Sequence, residues 1–568
     1  MFFIVQHAAV LALLLVVAAA AGTVVLGSGV SLALRSAMGM AVAGQVFVVL
    51  GTIGELRAWS IGAFGGIVVA GATVAPAARR LYRRRLAGES DRRRAGSGTA
   101  GQRPALRTAL LAGAALLALP LFLLGLYPPI AFDETLYHLP FIAAIARSGS
   151  IGFLTDMRFP VFPRIHELLC LPAFLIAGDT ATHLVALAAV LILAGLMIEW
   201  PSQRMAGFLA AALVLGNPIV VQMATITYTE AALMLFVAAG FYCLNRNVAA
   251  AGFLVGTACS VKYLGWYFAA AALVYLLLFG TNRRRTIPLF IGAFVIAVLP
   301  MYASIIALTG NPFFPFLPRV FGTSAWTMAL PETMAATTRM ANALRVFWDI
   351  TFARERVNFQ PPYSPLFAVA MLITLIAATR DRRAAFLSAI CAGYIAIFTF
   401  LPQDSRYLMP LLPLVSMAAA ISVAPMLRGR MVIVLSVLAI APGVTYAGYR
   451  LARQGPPPLT SAQRQQYLEA HIPEYRALER RGPGRIYVCG AEQLKYYGGE
   501  EFLGDVTGPF ANQTIVGGEH LSRTLTGLHI RYLLVSARCP IQWQRLPAEP
   551  RFELVYTDDG AKLWRLRP

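Results

Sequence analysis

The sequence contains few charged residues for its length. Of its 568 residues, 13% are charged and 58% are hydrophobic, whereas about 25% charged residues is usual in a soluble domain. Acidic residues are the scarcest, with 27 Asp and Glu against 48 Lys and Arg. This composition excludes a chain that is surrounded by water alone, as an ordinary soluble domain is. Since the basic residues cluster in short loops between apolar runs, their excess indicates membrane topology and not nucleic-acid binding.

The six cysteines do not form a zinc-binding pattern. Cys489 and Cys539 lie in the polar C-terminal part of the chain, where they could form a disulfide if that part is outside the cytoplasm. The other four lie in or beside apolar runs, without the close Cys and His spacing of a zinc site. They are interpreted as packing residues: Cys170, Cys243, Cys259 and Cys391.

Apolar runs long enough to cross a bilayer, about 20 residues each, recur from the N-terminus to about Tyr446. No Lys or Arg precedes the first run at about Ala8, which argues against a cleaved signal peptide and favours a retained helix. The pattern predicts a mainly α fold, a polytopic transmembrane helical bundle of about fourteen spans. Their approximate limits are 8–28, 37–54, 60–77, 108–126, 181–199, 206–222, 229–244, 248–260, 263–279, 287–306, 363–379, 384–400, 408–425 and 431–448.

The basic loops predict the orientation of these spans. The densest group runs from Arg79 to Arg107 and should be cytoplasmic, and the other basic loops fall on the same side when the spans alternate. Segments 127–180, 307–362 and 402–407 are then outside, with everything after about Tyr449. The predicted regions are additional N-terminal transmembrane helices at 1–78, an Arg-rich cytoplasmic loop at 79–107, a transmembrane catalytic module at 108–448 and an extracytoplasmic domain at 449–568.

Two external parts have secondary structure of their own. In segment 127–180, apolar residues recur at near-helical spacing from Leu136 to Ile145 and from Ile165 to Ile176, which favours two short helices in the membrane interface. The C-terminal part begins with helix-like sequence at about Ser461 and predicts a small α/β domain. Its β-rich runs are 485–490, 531–536, 552–557 and 562–566.

Segment 127–180 is unusually rich in ionisable residues for so apolar a chain. Asp133 and Glu134 closely follow a predicted span that ends at Tyr127. They could be an ordinary solvated pair at a helix N-terminus, where the helix dipole favours acidic residues. A functional site is the alternative, and it is favoured by the density of polar neighbours, namely Tyr137, His138, Asp156, Arg158, Arg164, His166 and Glu167.

Two cations, Lys262 and Arg406, stand at outer ends of spans, where the positive-inside rule disfavours them. Lys262 could simply snorkel to the interface, and Arg406 could pair locally with Asp404. Alternatively, two outward cations at membrane level are what a lipid-linked phosphate requires, and Arg offers it a bidentate fork. Weaker candidates, for which a structural role is favoured, are Glu230 and His166.

The segment Asp133-Glu134-Thr135-Leu136-Tyr137 resembles the Asp-Glu-Thr-x-Tyr start of the first external loop in GT-C membrane glycosyltransferases, of the protein O-mannosyltransferase and aminoarabinose transferase types. The resemblance extends to a Lys-Tyr at an outer helix break, an Arg-Tyr-Leu-x-Pro near the last spans, and the external C-terminal domain. It covers roughly residues 108–568, by architecture more than by sequence. It implies a GT-C fold and, in a bacterial inner membrane, transfer of a sugar with inversion from a polyprenyl-phosphate donor to an extracytoplasmic glycan, lipid or protein.

The resemblance also implies roles for the external residues. Asp133 would be the general base and Glu134 would orient the acceptor, while Arg406 and Lys262 would stabilise the departing phosphate. No cofactor is expected, although two adjacent carboxylates could hold a divalent metal through waters. The expected substrate-binding residues are Tyr137, His138, Arg158, Arg164, His166, Lys262, Tyr263, Arg406 and Tyr407.

The chain departs from the family pattern in two places. Residues 1–78 add spans before the usual start, and Phe159-Pro160-Val161-Phe162-Pro163-Arg164 replaces a Lys-Pro-Pro-Leu-like element. Two other functions stay open. A transporter or flippase of a lipid or lipid-linked sugar is disfavoured because the notable charges lie at outer ends and not at mid-membrane. A non-catalytic assembly or receptor subunit predicts that the acidic pair can be neutralised without effect.

Overall fold

The protein is a helical membrane bundle with a small C-terminal domain. The computed structural model describes residues 1–86, 118–326, 336–504, 525–539 and 552–567. Within these ranges, five helices are long and apolar enough to cross a membrane: Phe2–Leu26, Leu32–Thr52, Asp179–Glu199, Arg283–Thr309 and Gly429–Gln454. Shorter apolar helices accompany them at Ala58–Val74, Ile165–Ala177, Arg204–Leu215, Glu230–Cys243, Val248–Val261, Gly265–Phe279, Pro365–Ala378 and Leu411–Met426. The predicted fold class is confirmed.

The remaining elements include helix Arg382–Phe398, which overlaps the predicted span 384–400, together with shorter helices and turns. Helix Ala58–Val74 continues to Leu86, and 118–124 is helical. The rest of the Arg-rich loop and the first part of the predicted span 108–126 lie outside the described residues. The other helices are Leu139–Ser148, Pro218–Met223, Pro318–Phe321, Ala336–Phe352, Arg382–Phe398, Ser461–His471, Tyr475–Glu479 and Lys495–Gly498, with a π-helical turn at Glu134–His138 and 3₁₀ turns at Asp179–Thr182, Arg354–Arg356, Ser405–Leu408, Ala424–Met426 and Glu492–Leu494.

Small residues set how closely the membrane helices approach. A Cβ atom on Gly39 would lie 1.8 Å from the carbonyl oxygen of Ala18, and one on Gly216 would lie 1.7 Å from that of Ala439. Both contacts join backbones of different helices, so only glycine fits at either crossing. Close backbone approach of this kind is how helices pack in lipid, where no hydrophobic force drives them together.

The first three helices are tied directly to segment 127–180. The N–H of Leu56 donates to the carbonyl oxygen of Gly149 at 2.9 Å, and that of Ile151 donates to Gly51 at 2.8 Å. The amide of Gln6 donates to the carbonyl oxygen of Ile176 at 3.0 Å. The additional N-terminal helices therefore support the segment that carries Asp133.

In the described residues of the C-terminal domain, five strands form one sheet: β1 Arg485–Cys489, β2 Phe502–Gly504, β3 Ile530–Ser536, β4 Phe552–Thr557 and β5 Ala561–Leu566. Their order in the sheet is β2-β1-β3-β5-β4. β1 is parallel to both β2 and β3, whereas β5 is antiparallel to β3 and β4. A disulfide joins Cys489 to Cys539, with their Cα atoms 5.3 Å apart. The four β-rich runs of the sequence form strands, and a fifth was not predicted.

Ion pairs dock this domain onto segment 127–180. Lys495 Nζ lies 2.6 Å from Asp156 Oδ2, and Arg464 Nη2 lies 2.5 Å from Asp179 Oδ2. Burial lowers the pKa of the Lys495 ammonium although Asp156 opposes that shift. A lone buried charge at this interface would be costly. Docking of the domain therefore requires Asp156 to lie next to Lys495.

Candidate active site

A single π-helical turn, Glu134–His138, begins directly after Asp133. A π turn is wider than an α turn, redirects the side chains it carries and often occurs at functional sites. Here it separates two adjacent carboxylates. The Asp133 side chain is 16% exposed, whereas that of Glu134 is fully buried.

Asp133 is held in place through both its backbone and its carboxylate. Its N–H donates to the hydroxyl oxygen of Tyr228 at 3.0 Å, and its Oδ2 accepts from Arg406 Nη2 at 2.5 Å. Burial alone would raise the pKa of this carboxyl, but the positive charges of Arg406 and Lys262 bring it below its usual range. Asp133 is therefore an ionised carboxylate at neutral pH.

Arg406 lies among three carboxylates. Besides Asp133, its Nε lies 2.9 Å from Asp404 Oδ2 and 3.9 Å from Glu230 Oε1. Its guanidinium stands 4.8 Å from the ring centre of Tyr228, within cation–π range. The local pair with Asp404 that the sequence allowed is present, and so is the long-range pair with Asp133.

Lys262 is paired with Glu230, whose Oε1 lies 2.7 Å from its Nζ. The ammonium also stands 4.3 Å from the ring centre of Tyr407. Sequence reasoning favoured a structural role for Glu230, yet this carboxylate contacts both cations of the site. The signal for it was an acidic residue at the start of an apolar helix, directly after Tyr228-Thr229.

The network formed by Asp133, Glu230, Lys262, Asp404 and Arg406 carries one more negative than positive charge. The side-chain amides of Asn358 and Gln360 donate to Asp404 Oδ2 at 2.8 and 3.2 Å and hold it in place. Both cations are already paired. An incoming anion therefore competes with a carboxylate for Arg406 or Lys262.

Glu134 does not face this network. Its Oε1 accepts from His183 Nε2 and from the backbone N–H of Thr227, both at 2.7 Å. The expectation that Glu134 orients an acceptor finds no geometric support, because its side chain is fully buried. It ties the π turn to the helix that His183 begins. Neither His183 nor Thr227 could be found from the sequence, since both lie within or between apolar runs.

Three further ionisable residues form a buried layer beside Asp133. His138 Nδ1 lies 2.5 Å from Glu167 Oε1, and the His138 ring stands 5.7 Å from that of Tyr228. His166 approaches the thiol of Cys170 at 3.6 Å. Within the described ranges, neither Nδ1 of His166 nor Oε2 of Glu167 has a hydrogen-bond partner. Of the two histidines, His138 is the one that lies next to the Asp133 network.

The segment that departs from the family pattern forms an aromatic wall. Tyr137 packs edge to face against Phe159 and Phe162, with ring centres 5.5 and 5.8 Å away. The Arg164 guanidinium lies 4.5 Å from the ring centre of Phe141, and Arg158 lies 5.2 Å from that of Phe159. Burial, followed by the charge of Asp133, raises the pKa of the Tyr137 hydroxyl. Arg164 is 1% exposed, so it has no access to a ligand in this conformation.

The predicted substrate-binding residues thus separate into groups. Tyr263 belongs to another aromatic cluster and donates its hydroxyl proton to the carbonyl oxygen of Phe314 at 2.8 Å. Among the described residues, no group of three or more His, Cys, Asp and Glu side chains is close enough to hold a metal ion. One connected network contains the predicted residues Asp133, Lys262, Arg406 and Tyr407, with Tyr137 and His138 beside it, whereas Glu134, Arg158, Arg164, His166 and Tyr263 lie outside it.

Sequence comparison identifies little beyond the C-terminal domain. A protein-family model described as SF2091/S2213 matches residues 463–565. This range contains β1 to β4 and all of β5 except Leu566, but it is well under half of the chain. No curated protein matches the sequence.

Structure comparison matches most of the chain. The apo crystal structure of ArnT from Cupriavidus metallidurans superposes with a TM-score of 0.54 at 13% identity, covering 81% of this chain and 98% of that one. The crystal structure of the same ArnT bound to undecaprenyl phosphate gives 0.50 at 14% identity, covering 82% and 98%. At such low identity the match shows a common fold. The GT-C fold that the sequence resemblance implied is confirmed.

Proposed function

We propose that this chain, a membrane protein with the fold of ArnT, transfers a sugar from a polyprenyl-phosphate-linked donor to an acceptor outside the cytoplasm. The single observation that carries the proposal is the ion pair of Asp133 and Arg406 at 2.5 Å. It brings the predicted general base next to the predicted cation for the donor phosphate. Binding of undecaprenyl phosphate by ArnT supports a polyprenyl-linked donor here. The basic loops support placing the site on the extracytoplasmic face of a bacterial inner membrane.

The donor phosphate is assigned to Arg406 and Lys262. Because both cations are paired with carboxylates, the phosphate competes with Asp133 for the Arg406 guanidinium when it binds. Charge-assisted hydrogen bonds from Arg to phosphate are frequently bidentate and strong. As the sugar leaves, negative charge grows on the phosphate oxygens, and each well-placed donor stabilises that charge by about 3 kcal/mol.

Asp133 is assigned as the general base. Asp133 is ionised in its pair with Arg406, and displacement from Arg406 frees Oδ2 to accept the proton of an acceptor hydroxyl. The deprotonated oxygen then forms a bond to the anomeric carbon while the bond from that carbon to the phosphate oxygen breaks. Attack from the side opposite the phosphate inverts the anomeric centre. Glu134 and His138 are positioning residues, which fix the π turn on either side.

Comparing envelope glycans and lipid-linked sugars in cells with and without the gene tests the proposal. Loss of one sugar from the glycans, with its lipid-linked form retained, is the expected result. Wild-type protein should restore the sugar and Asp133→Asn should not. The matched control is Asp559→Asn, the same change at an exposed turn of the C-terminal domain.

Membrane levels of both variants must equal that of the wild type. An Asp133→Asn variant that restores the sugar would show that Asp133 is not the base. If that variant also restores a lost transbilayer movement of the lipid-linked sugar, the protein is a transporter. These outcomes separate the two functions that remained open from the sequence.

A further inference from the structure

An apolar cavity of about 830 Å³ lies between the first three helices and helix Ile165–Ala177. The described residues that line it include Leu14, Phe47 and Gly66 from the three N-terminal helices, and Thr73 alone has a polar side chain. The proposed reaction uses none of these residues. The proposed reaction therefore does not explain why the first three helices border this cavity.

Glycines on the third helix create the open space. A Cβ atom placed on Gly62 or Gly66 would meet no heavy atom within 4 Å. Both glycines line the cavity and are exposed, so a larger side chain at either position would meet no protein atom. These positions differ from Gly39, where glycine permits close helix packing.

The dimensions and chemistry of the cavity restrict its occupant. Water and sugar hydroxyls are excluded because the lining offers almost no hydrogen-bond partner. A cavity of about 830 Å³ is large enough for a stretch of hydrocarbon chain, which is apolar throughout.

The position of the cavity indicates which hydrocarbon chain it holds. Helix Ile165–Ala177 forms one of its walls through Pro172 and Ile176. Five residues before Pro172, about 7.5 Å along the helix axis, Glu167 binds His138 in the layer beside Asp133. The same helix thus borders both the cavity and the reaction centre.

We infer that this cavity binds the isoprenoid chain of the polyprenyl-phosphate donor, with the phosphate at Arg406. This inference rests on the proposed function and adds a role for residues 1–78, which is to anchor the donor chain beside the reaction centre. Contacts in the cavity act only on the part of the chain beyond its first units. They discriminate long donors from short ones.

The test measures binding of undecaprenyl phosphate and of the short geranyl phosphate to the purified full-length protein in detergent. Gly66→Phe adds a bulky side chain to the lining of the cavity, and Gly292→Phe is the control. Gly292 lies on helix Arg283–Thr309, does not line the cavity and likewise has no heavy atom within 4 Å of the position that a Cβ atom would take. Gly66→Phe should weaken undecaprenyl phosphate binding by roughly tenfold or more, corresponding to about 1.4 kcal/mol, and leave geranyl phosphate unaffected.

Equal undecaprenyl phosphate affinity in the two glycine variants would overturn the inference. So would native mass spectra in which Gly66→Phe displaces a bound phospholipid and not the isoprenoid. Failure of the wild-type protein to bind either phosphate would instead reject the proposed donor class, and the inference with it. In a further outcome, Arg406→Gln abolishes binding of both phosphates whereas Gly66→Phe leaves it intact. That result would retain the proposed function and reject the cavity as the binding site of the isoprenoid chain.

Discussion

Replacing Arg406 by Gln tests the charge balance of the site most directly. The change leaves Asp133, Glu230 and Asp404 with Lys262 as the remaining cation of the network. Two unit charges about 4 Å apart interact by roughly 4 kcal/mol at an effective dielectric constant of 20, and removing one partner of a buried pair typically costs about 3–5 kcal/mol. The Arg406 side chain is 9% exposed, so solvent screening reduces this cost little. We expect the unfolding free energy to fall by about 3 kcal/mol.

The same variant should lower kcat by about a hundredfold or more, because it removes the principal cation proposed to stabilise the departing phosphate. Thermal unfolding of the purified protein measures the first effect, and sugar transfer in proteoliposomes measures the second. A second variant separates the two. Adding Asp133→Asn to Arg406→Gln removes one unpaired carboxylate, so the double variant should recover part of the lost stability but none of the lost activity.

Arg147→Gln is the matched control for this experiment. Arg147 pairs with Glu500 at 2.6 Å, a distance close to that between Arg406 and Asp133, but both side chains are more than half exposed. Exposed pairs contribute about 0–1 kcal/mol, so this variant should retain stability and activity. A double variant as unstable as Arg406→Gln alone, or an Arg406→Gln variant with wild-type transfer, would refute the reasoning.

Two further predictions concern the carboxylates of the π turn. Glu134→Gln should lower thermal stability by roughly 1–3 kcal/mol, because it disturbs a buried hydrogen-bond network. It should reduce kcat without changing the KM of the acceptor. A raised acceptor KM at unchanged stability would instead show that Glu134 contacts the acceptor directly. Because the pKa of Asp133 is lowered in the folded protein, the ion pair with Arg406 stabilises the fold fully above about pH 4, the pKa of Asp in the unfolded chain. That stabilisation is lost as the pH falls through the lower pKa of the folded state. Transfer and thermal stability should therefore show no acid limb from this group between about pH 8 and 5, and a limb near pH 6 that moves in Asp133→Glu would contradict this assignment.

Much of the fold could be predicted because membrane insertion leaves strong local signals. Apolar runs and basic loops specify helices and their alternation, and both depend on residues close together in sequence. The β-rich runs were likewise local, apart from the three-residue strand Phe502–Gly504, which is too short to show a pattern of its own. The cavity among the N-terminal helices was not predictable, since it depends on how Gly62 and Gly66 lie relative to a helix about a hundred residues later.

The site was predictable in part, for a similar reason. Asp133, Lys262 and Arg406 are charged residues at the ends of apolar runs, so the sequence alone marked them as exceptional. Their mutual distances follow from segments 129 to 273 residues apart, which only the folded bundle brings together.

The sequence by itself determined the membrane bundle and a small set of charged residues that needed partners. Only the tertiary structure decided which partners they have. It paired Arg406 with Asp133, placed Glu230 between both cations and turned Glu134 away towards His183. The physical reason is that a lone charge in a buried site is costly whatever its partner, so sequence reveals the need for a pair, whereas the choice of partner depends on distances set by helix packing and by one π turn.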